Sequence, residues 1–434
     1  MLMTYYAYIT RIVNVRKHPN ADRLLLGECF NNQVVVGLDT KEGELGIYFP
    51  SDGRISIEFL KANNQLSYID EVTKERKGGF FSENGKVRTQ KFRKERSDGF
   101  FCPLSYLYYT GVDYNTLIEG LKFTEINGHE ICKKYTNTVE KSSNPKPYKV
   151  VRIKYPQFAE HKDTEQLVYN LDKIPKGACL YITEKLHGTS GRTSNTLVTQ
   201  LPWYGRIINS LFKRTIIEPK PIGYKYVSGT RRVTIADMDS YGGGFDKADK
   251  NYRVPAHNLF VGKLHEGETV YYEIVGWSTD TKPIMNRCDN RKLEDKEFVK
   301  QYGKETVFSY NQPEGTSEVY VYRITHTDAD GWVKDYTWQE IRSRCRELDV
   351  KTVPLLTVIV YDEDSEKLIN LLENEKGTGY AQGASTLCDK HIREGVVVRI
   401  NSSKWEAWKF KSFEFKVLED IIKLSGAKDT EEES

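Results

Sequence analysis

Residues 181–192 read YITEKLHGTSGR. Tyr181, Ile182 and Thr183 continue an apolar, β-prone run that ends in Glu184 and Lys185. Gly188, Thr189, Ser190 and Gly191 follow as small turn formers. The segment predicts a strand that delivers Lys185, Leu186 and His187 into a tight turn. A lysine there is ordinary on a surface, and a histidine before glycine is ordinary in a turn, so the segment needs partners before it carries chemistry. Candidates lie downstream. Glu273 sits inside YYEIVGW (271–277), and Glu394 directly precedes GVVVRI (395–400). A carboxylate in or beside a buried strand is costly unless it is paired, hydrogen-bonded or close to a metal. AWKFKSFEFK (407–416) alternates Lys409 and Lys411 with Trp408, Phe410 and Phe413, so a strand there would project both ammonium groups from one face. Taken singly, each glutamate fits a structural salt bridge and the lysines fit a solvent face.

The surrounding segments predict both strands and helices. VYVYRIT (319–325) and LLTVIVY (355–361) read as further buried strands. Thr337 and Glu340 form a capping box that opens a helix at WQEIRSRCREL. Asp364 or Ser365 caps EKLINLLENE, and LEDIIKL (418–424) is amphipathic up to Gly426. These elements make residues 150–428 one α+β domain, with an acidic tail at 429–434 that is expected to fray. Upstream, TNTVEKSSNPKPYK is polar and carries two prolines, which marks 136–149 as a linker. Residues 1–135 read as short strands between turns, among them YAYITRIVNV (6–15) and NQVVVGL (32–38), and predict a small barrel or sandwich. Within them KVRTQKFRKER (86–96) holds six basic residues and one acid. Gly78–Phe81 precede it and Asp98–Phe101 follow. The stretch is either a solvated edge or, with its aromatic flanks, a nucleic-acid surface.

Whole-chain numbers narrow the classes. The 434 residues suit two or three domains, and 64 Lys and Arg against 61 Asp and Glu neither demand nor exclude nucleic acid. No apolar run approaches the ~18 residues of a membrane span, and the N-terminus lacks a signal-peptide pattern. No membrane partner is expected, and a monomer is the default. The seven cysteines are scattered without a C-x-x-C, which argues against a disulfide framework or zinc knuckle and favours the cytoplasm. Neither G-x-G-x-x-G nor G-x-x-x-x-G-K-[ST] occurs in the second domain, so the common phosphate-binding loops are missing.

The ordered set Lys185, Glu273, Tyr322, Glu394, Lys409 and Lys411 resembles the covalent nucleotidyltransferase superfamily of polynucleotide ligases and capping enzymes. KLHG, YYEIVG, VYVYR, EGVVVR and WKFK stand where that superfamily has motifs I, III, IIIa, IV and V. KLHG is most similar to the RNA ligases, since other branches usually have Asp at the position of His187. GIYFPSDGRIS, GGFFSENGKVR and KFRKERSDGFFCPLS resemble the N-terminal OB-type domain of nick-sealing RNA ligases, and HPNADRL (18–24) resembles tRNA-binding OB modules. Residues 195–260 and 278–318 match least. The basic VSGTRRV (227–233), within the first of these, is a candidate strand-binding loop.

The resemblance implies an OB-like β-barrel followed by a nucleotidyltransferase domain, ATP-grasp-like, of antiparallel sheets with flanking helices. It implies an ATP-dependent RNA ligase. Lys185 attacks the α-phosphate of ATP, AMP passes to a 5′-phosphate, and a 3′-OH displaces it, most naturally on nicked duplex RNA in RNA repair. Lys185, His187, Lys409 and Lys411 would be catalytic. Glu184, Gly188, Arg192 and Tyr322 would hold the nucleotide, the last by stacking on adenine. Glu273 and Glu394 would bind Mg²⁺ or Mn²⁺. Arg323 departs from the pattern, since many relatives have Asp after the aromatic. A free lysine is a poor nucleophile at neutral pH, and a thousandfold shift of its protonation needs about 4 kcal/mol from burial and neighbouring cations. A DNA ligase, a GTP-using capping enzyme and a non-catalytic RNA-binding protein are the alternatives.

Overall fold

The computed structural model describes residues 5–69, 76–136, 153–235, 238 and 249–424. The linker reading, apart from Thr136, and the acidic tail lie outside the described residues. The chain divides into two compact units, Met1–Thr138 with Lys416–Asp420, and Val139–Phe415 with Ile421–Ser434.

In the first unit Ala7–Arg11 pairs with Leu45–Phe49 and Lys122–Phe123, and Phe100–Pro103 completes a four-stranded antiparallel sheet. The run 6–15, read as one strand, breaks at Ile12. It resumes as Val13–Lys17 in a separate three-stranded sheet with Leu24–Cys29 and Asn32–Gly37. No closed barrel forms among the described residues, because short strands of two to six residues fall into separate sheets. The core gathers Ile9, Ile47, Phe49, Phe59 and Leu107. Phe59 comes from a short helix, Ile57–Ala62, which the all-strand reading missed; Ser56 caps it by accepting from the Phe59 amide at 3.2 Å.

The basic stretch 86–96 is divided by burial. Lys86 is buried and pairs with Asp420 at 2.7 Å. Thr89–Phe92 and Glu95–Asp98 then form a hairpin whose turn residues, Arg93 and Lys94, both take positive φ. Lys91, Arg93 and Lys94 face solvent. The HPNADRL turn is pinned to this hairpin through His18. Its Nε2 lies 3.0 Å from the Phe92 carbonyl, and its Nδ1 accepts from the Asn20 amide.

Two large sheets, with a separate two-stranded pair of 288–289 and 305–306, build the second unit among the described residues. The larger has eight strands, with the main order 234–235, 220–229, 189–200, 268–276, 317–327, 333–335. The smaller has the order 165–166, 407–411, 395–400, 179–185, 355–360. Pairing is antiparallel apart from two short parallel contacts, 165–166 with 407–411 and 351–352 with 317–327. In the smaller sheet the two-residue alternation is clean. Leu180, Ile182, Val396, Val398, Trp408 and Phe410 pack with Leu368, Ile369 and Leu372 of the helix Ser365–Leu372. The capping box forms as read, and Thr337 starts the helix Trp338–Leu348. The strand read through 407–416 stops at Lys411. Ser412 accepts from the Phe415 amide at 3.2 Å and converts the segment into the helix Phe413–Leu424, so Phe413 is helical rather than a strand residue.

Arg323, the departure from the family pattern, has a structural explanation. Its guanidinium binds Asp335 through two hydrogen bonds, at 2.5 and 3.0 Å, with both side chains buried. It also lies over the rings of Tyr271 and Trp405. Asp335→Ala would strand a buried cation. The expected loss is about 3–5 kcal/mol of stability, read by urea denaturation of the full chain.

Candidate active site

The turn Leu186–Gly188 is where the chain leaves one sheet for the other. Strand Cys179–Lys185 belongs to the smaller sheet and Thr189–Gln200 to the larger. Between them opens a pocket of about 790 Å³, open solvent at its mouth included. Lys185, Lys409 and Lys411 line it from the smaller sheet, and Ser190, Glu273 and Tyr322 from the larger.

Register explains how three charges meet. Gly395 stands opposite Lys185 on one side and opposite Lys411 on the other. Glu394, the residue before it, is therefore placed between both lysines. Its Oε1 lies 2.8 Å from Lys185 Nζ and 3.3 Å from Lys411 Nζ, and the carboxylate is fully buried. Gly395 has φ +152°, and a Cβ there would lie 2.1 Å from the Phe410 carbonyl oxygen. Lys409 shares the pocket face with Lys411, two residues along the same strand. Glu273 stands opposite Ser190, whose hydroxyl donates to Oε2 at 3.2 Å.

Other expected residues lie differently. Glu184 borders the pocket, but as the neighbour of Lys185 in a strand it projects to the opposite face. There its carboxylate accepts from Ser385 Oγ, the Thr386 amide and Thr386 Oγ1. His187 is buried behind the pocket wall, edge-on to Phe308 and Phe415, with Nδ1 3.6 Å from Glu394 Oε2. Its amide donates to the Tyr310 hydroxyl at 2.6 Å. Gly188 packs against the strand that carries Glu273, and a Cβ there would meet the Ile274 carbonyl at 2.4 Å. Arg192 is buried too. It donates to the Ala159 carbonyl and lies over the Phe158 ring.

The charged and aromatic pocket residues not read from the sequence as site residues are His161, Arg231, Arg399 and Trp405. His161 packs edge-on to Tyr322 at 5.6 Å. Burial, reinforced by Arg231, Arg323, Arg192 and Lys185, holds its pKa well below the usual histidine range, so the ring is neutral. Burial and Glu273 push the Tyr322 phenol up. Arg231 comes from the VSGTRRV segment and pairs with Asp163 at 2.5 Å. Arg399 donates to the Tyr322 and Tyr336 carbonyls and lies against Trp405. Burial lowers its pKa to about 10. Single lysines beside motif glycines can be noticed in a sequence. His161, Arg399 and Trp405 have no local signal, since distant parts of the chain bring them to the pocket, and Arg231 was visible only as part of the basic VSGTRRV segment.

A buried carboxylate between two lysines, at the floor of a cation-lined pocket that also holds an aromatic ring and a second carboxylate, suits nucleotide chemistry. The model of the family described as RNA ligase matches residues 179–418, more than half of the 434. The chain belongs to the RNA ligase family. No curated protein matches. Among solved structures, a variant of the Naegleria gruberi RNA ligase with ATP and Mn aligns with a TM-score of 0.55 and 16% identity, over 95% of this chain and 97% of that one. The same organism's RNA ligase with PPi aligns with a TM-score of 0.54 and 17% identity, over 94% and 97%. A further variant, with AMP and Mn, gives 0.53 and 16%, over 94% and 97%. At these identities the likeness shows a shared fold along nearly the whole chain.

Gly395→Ala tests the register argument. The added methyl must displace the Phe410 carbonyl, so we expect a stability loss of about 1–3 kcal/mol by denaturation. Enzymatic activity is expected to fall further than that loss explains, since Glu394 would no longer sit between Lys185 and Lys411.

Proposed function

We propose that this chain is an ATP-dependent RNA ligase that joins 3′-OH and 5′-phosphate ends, acts on nicked duplex RNA and serves RNA repair. The observation that carries the reading is the convergence of Lys185 and Lys411 on the buried Glu394. Lys185 Nζ forms the bond to the α-phosphorus of ATP as the bond to the bridging oxygen breaks and pyrophosphate leaves. The 5′-phosphate of RNA then takes the AMP, and a 3′-OH attacks that activated end and releases it.

Each residue has a task in this scheme. Glu394, in contact with Nζ, accepts the proton that Lys185 gives up before it attacks. Lys409 and Lys411 neutralise phosphate charge on the pocket face and stabilise the charge that develops in transfer. Tyr322 offers a ring for adenine, and neutral His161 packs against that ring without adding charge. His187 is a positioning residue that steadies Glu394. Glu184 fixes the nucleophile's strand through the 385–386 loop. Arg192 fixes the 158–161 wall, and Gly188 lets the turn approach Glu273. Among the described residues no cluster of three or more His, Cys, Asp or Glu could hold an ion. Two carboxylates, Glu394 and Glu273, are what remains. That set suits Mg²⁺ or Mn²⁺, which usually take one or two carboxylates and complete their shell with substrate phosphates and water. A bound ion would supply further neutralisation of phosphate charge.

We assign the first unit, about residues 1–135, to RNA docking as an OB-type module whose strands remain in separate sheets, and 150–428 to nucleotidyl transfer. The exposed Lys91, Arg93 and Lys94 of the hairpin support the docking role.

Two experiments test the reading. Incubated with ATP and Mg²⁺, the protein is expected to gain the mass of one AMP, lose it with pyrophosphate, and gain none as Lys185→Ala. An adduct on Lys185→Ala would overturn the assignment of the nucleophile. In the triple variant Lys91→Ala, Arg93→Ala, Lys94→Ala, self-adenylylation should stay unchanged while sealing of nicked RNA weakens. The slope of log affinity against log salt should flatten by up to about 3. Equal loss of both activities would argue against docking by this hairpin.

A further inference from the structure

The helix Trp203–Phe212 is built inside out. At 100° per residue, Trp203, Tyr204, Ile207, Ile208, Leu211 and Phe212 occupy one half of its circumference, and Gly205, Arg206, Asn209, Ser210 and Lys213 the other. The buried residues come from the small and polar half, Gly205 and Asn209. Gly205 packs closely on Ile217. Asn209 accepts from the Ile216 and Ile217 amides and donates to the Ile217 carbonyl. The inner face is thus fixed by specific bonds, and the apolar half is held outward. Trp203 is 75% exposed, Leu211 74%, Ile207 61% and Phe212 55%. Ile216, Ile222 and Tyr224 extend the exposed apolar surface into the following loop and strand.

Charge selects the occupant. Between residues 200 and 226 the cations are Arg206, Lys213, Arg214, Lys220 and Lys225, all exposed. The single acid, Glu218, pairs with Lys154. A second copy would set like charge against like. Single-stranded RNA would leave the aliphatic Ile207, Leu211, Ile216 and Ile222 without a function, because bases stack on rings. An anionic bilayer surface uses every group. Aliphatic and aromatic side chains enter the acyl boundary, Trp203 and Tyr224 suit the interface, and the cations meet phosphate headgroups. At about 15 Å the helix is too short to span, so it would lie in the surface. No helix among the described residues is long and apolar enough to cross a membrane.

We propose that the segment 203–225 docks this protein on anionic lipid bilayers. This departs from the expectation of no membrane partner, which rested on the absence of a spanning segment. The docking face is remote from the proposed chemistry. Ser190 and Gln200 lie at opposite ends of one strand, about 30 Å apart at the usual rise.

The test uses the full chain in flotation with vesicles of phosphatidylcholine alone and of phosphatidylcholine with phosphatidylserine. Binding is expected only to the anionic vesicles, with loss at high salt. The variant Trp203→Ser, Ile207→Ser, Leu211→Ser should lose at least tenfold in apparent affinity while keeping self-adenylylation. These side chains are solvent-facing, and retained adenylylation or circular dichroism verifies the fold. Should that variant fail to fold, Arg206→Glu, Lys213→Glu, Arg214→Glu replaces it with the same expected loss. Absence of vesicle binding, or binding equal in wild type and variant, overturns the proposal. So does concentration-dependent dimerisation, or a loss of RNA affinity, that follows these substitutions without any lipid association.

Discussion

A carboxylate with no access to water has to be compensated, and Glu394 sets that requirement for the whole second unit. Its oxygens sit beneath the pocket with Lys185 at 2.8 Å and Lys411 at 3.3 Å. Without those cations its desolvation would cost several kcal/mol. The cations come from two strands on either side of the one that Glu394 begins, so the electrostatic demand can be met only in a single register. Gly395 makes that register possible, since no side chain fits beside the Phe410 carbonyl. The same arrangement that compensates the acid brings an amine to a carboxylate able to take its proton. In the proposed reaction the requirement for folding and the requirement for chemistry coincide.

Alternation converts this register into a pocket. In strands 395–400 and 407–411 one face carries Val396, Val398, Trp408 and Phe410 into the core with Leu180 and Ile182. The other face carries Val397, Arg399, Lys409 and Lys411 to the pocket. A slip of one residue would bury both lysines among leucines and expose the core. The larger sheet meets this face where the chain crosses between sheets in three residues, Leu186–Gly188. Lys185 and the strand beside Glu273 are therefore joined by one short connection.

The legible parts of the sequence were those with local causes. Thr337 and Glu340 announced their helix, because a capping box is complete within four residues. The Lys409 and Lys411 alternation announced a common face. Ser412 was legible in principle, as a helix-capping serine ahead of Phe415, but the aromatic alternation of 407–416 outweighed it, and the strand was read too long. The closed barrel was expected from short strands and turns. Those features set strand length, whereas closure depends on continuous pairing, and the break at Ile12 sends successive strands into different sheets. Glu184 was grouped with Lys185 by adjacency, yet adjacent strand residues face opposite ways. His161, Arg399 and Trp405 carried no local signal, because the contacts that place them include partners far along the chain, such as Tyr322 for both His161 and Arg399, and Arg323 for Trp405. Arg231 was visible only within VSGTRRV.

The pocket walls show why so many cations can share so small a space. Arg323, behind the wall, is tied to Asp335, while the pocket-lining Arg231 is tied to Asp163 and Arg399 to two carbonyls and a tryptophan ring, so each guanidinium is held by a fixed partner while its field reaches into the cavity. His161 responds to that field. Burial and four surrounding cations keep it neutral. Desolvation alone would act on any buried histidine. The additional pull from Arg231, Arg323, Arg192 and Lys185 is what a positively biased cavity would exert. A polyanionic nucleotide entering the cavity would meet fixed positive charge that needs no rearrangement, the condition under which electrostatic stabilisation of a transferring phosphoryl group is most effective. Salt bridges and ring contacts already hold those guanidinium groups in place, and in the proposed reaction Lys409 and Lys411, on flexible stems, would adjust to the phosphate of the nucleotide.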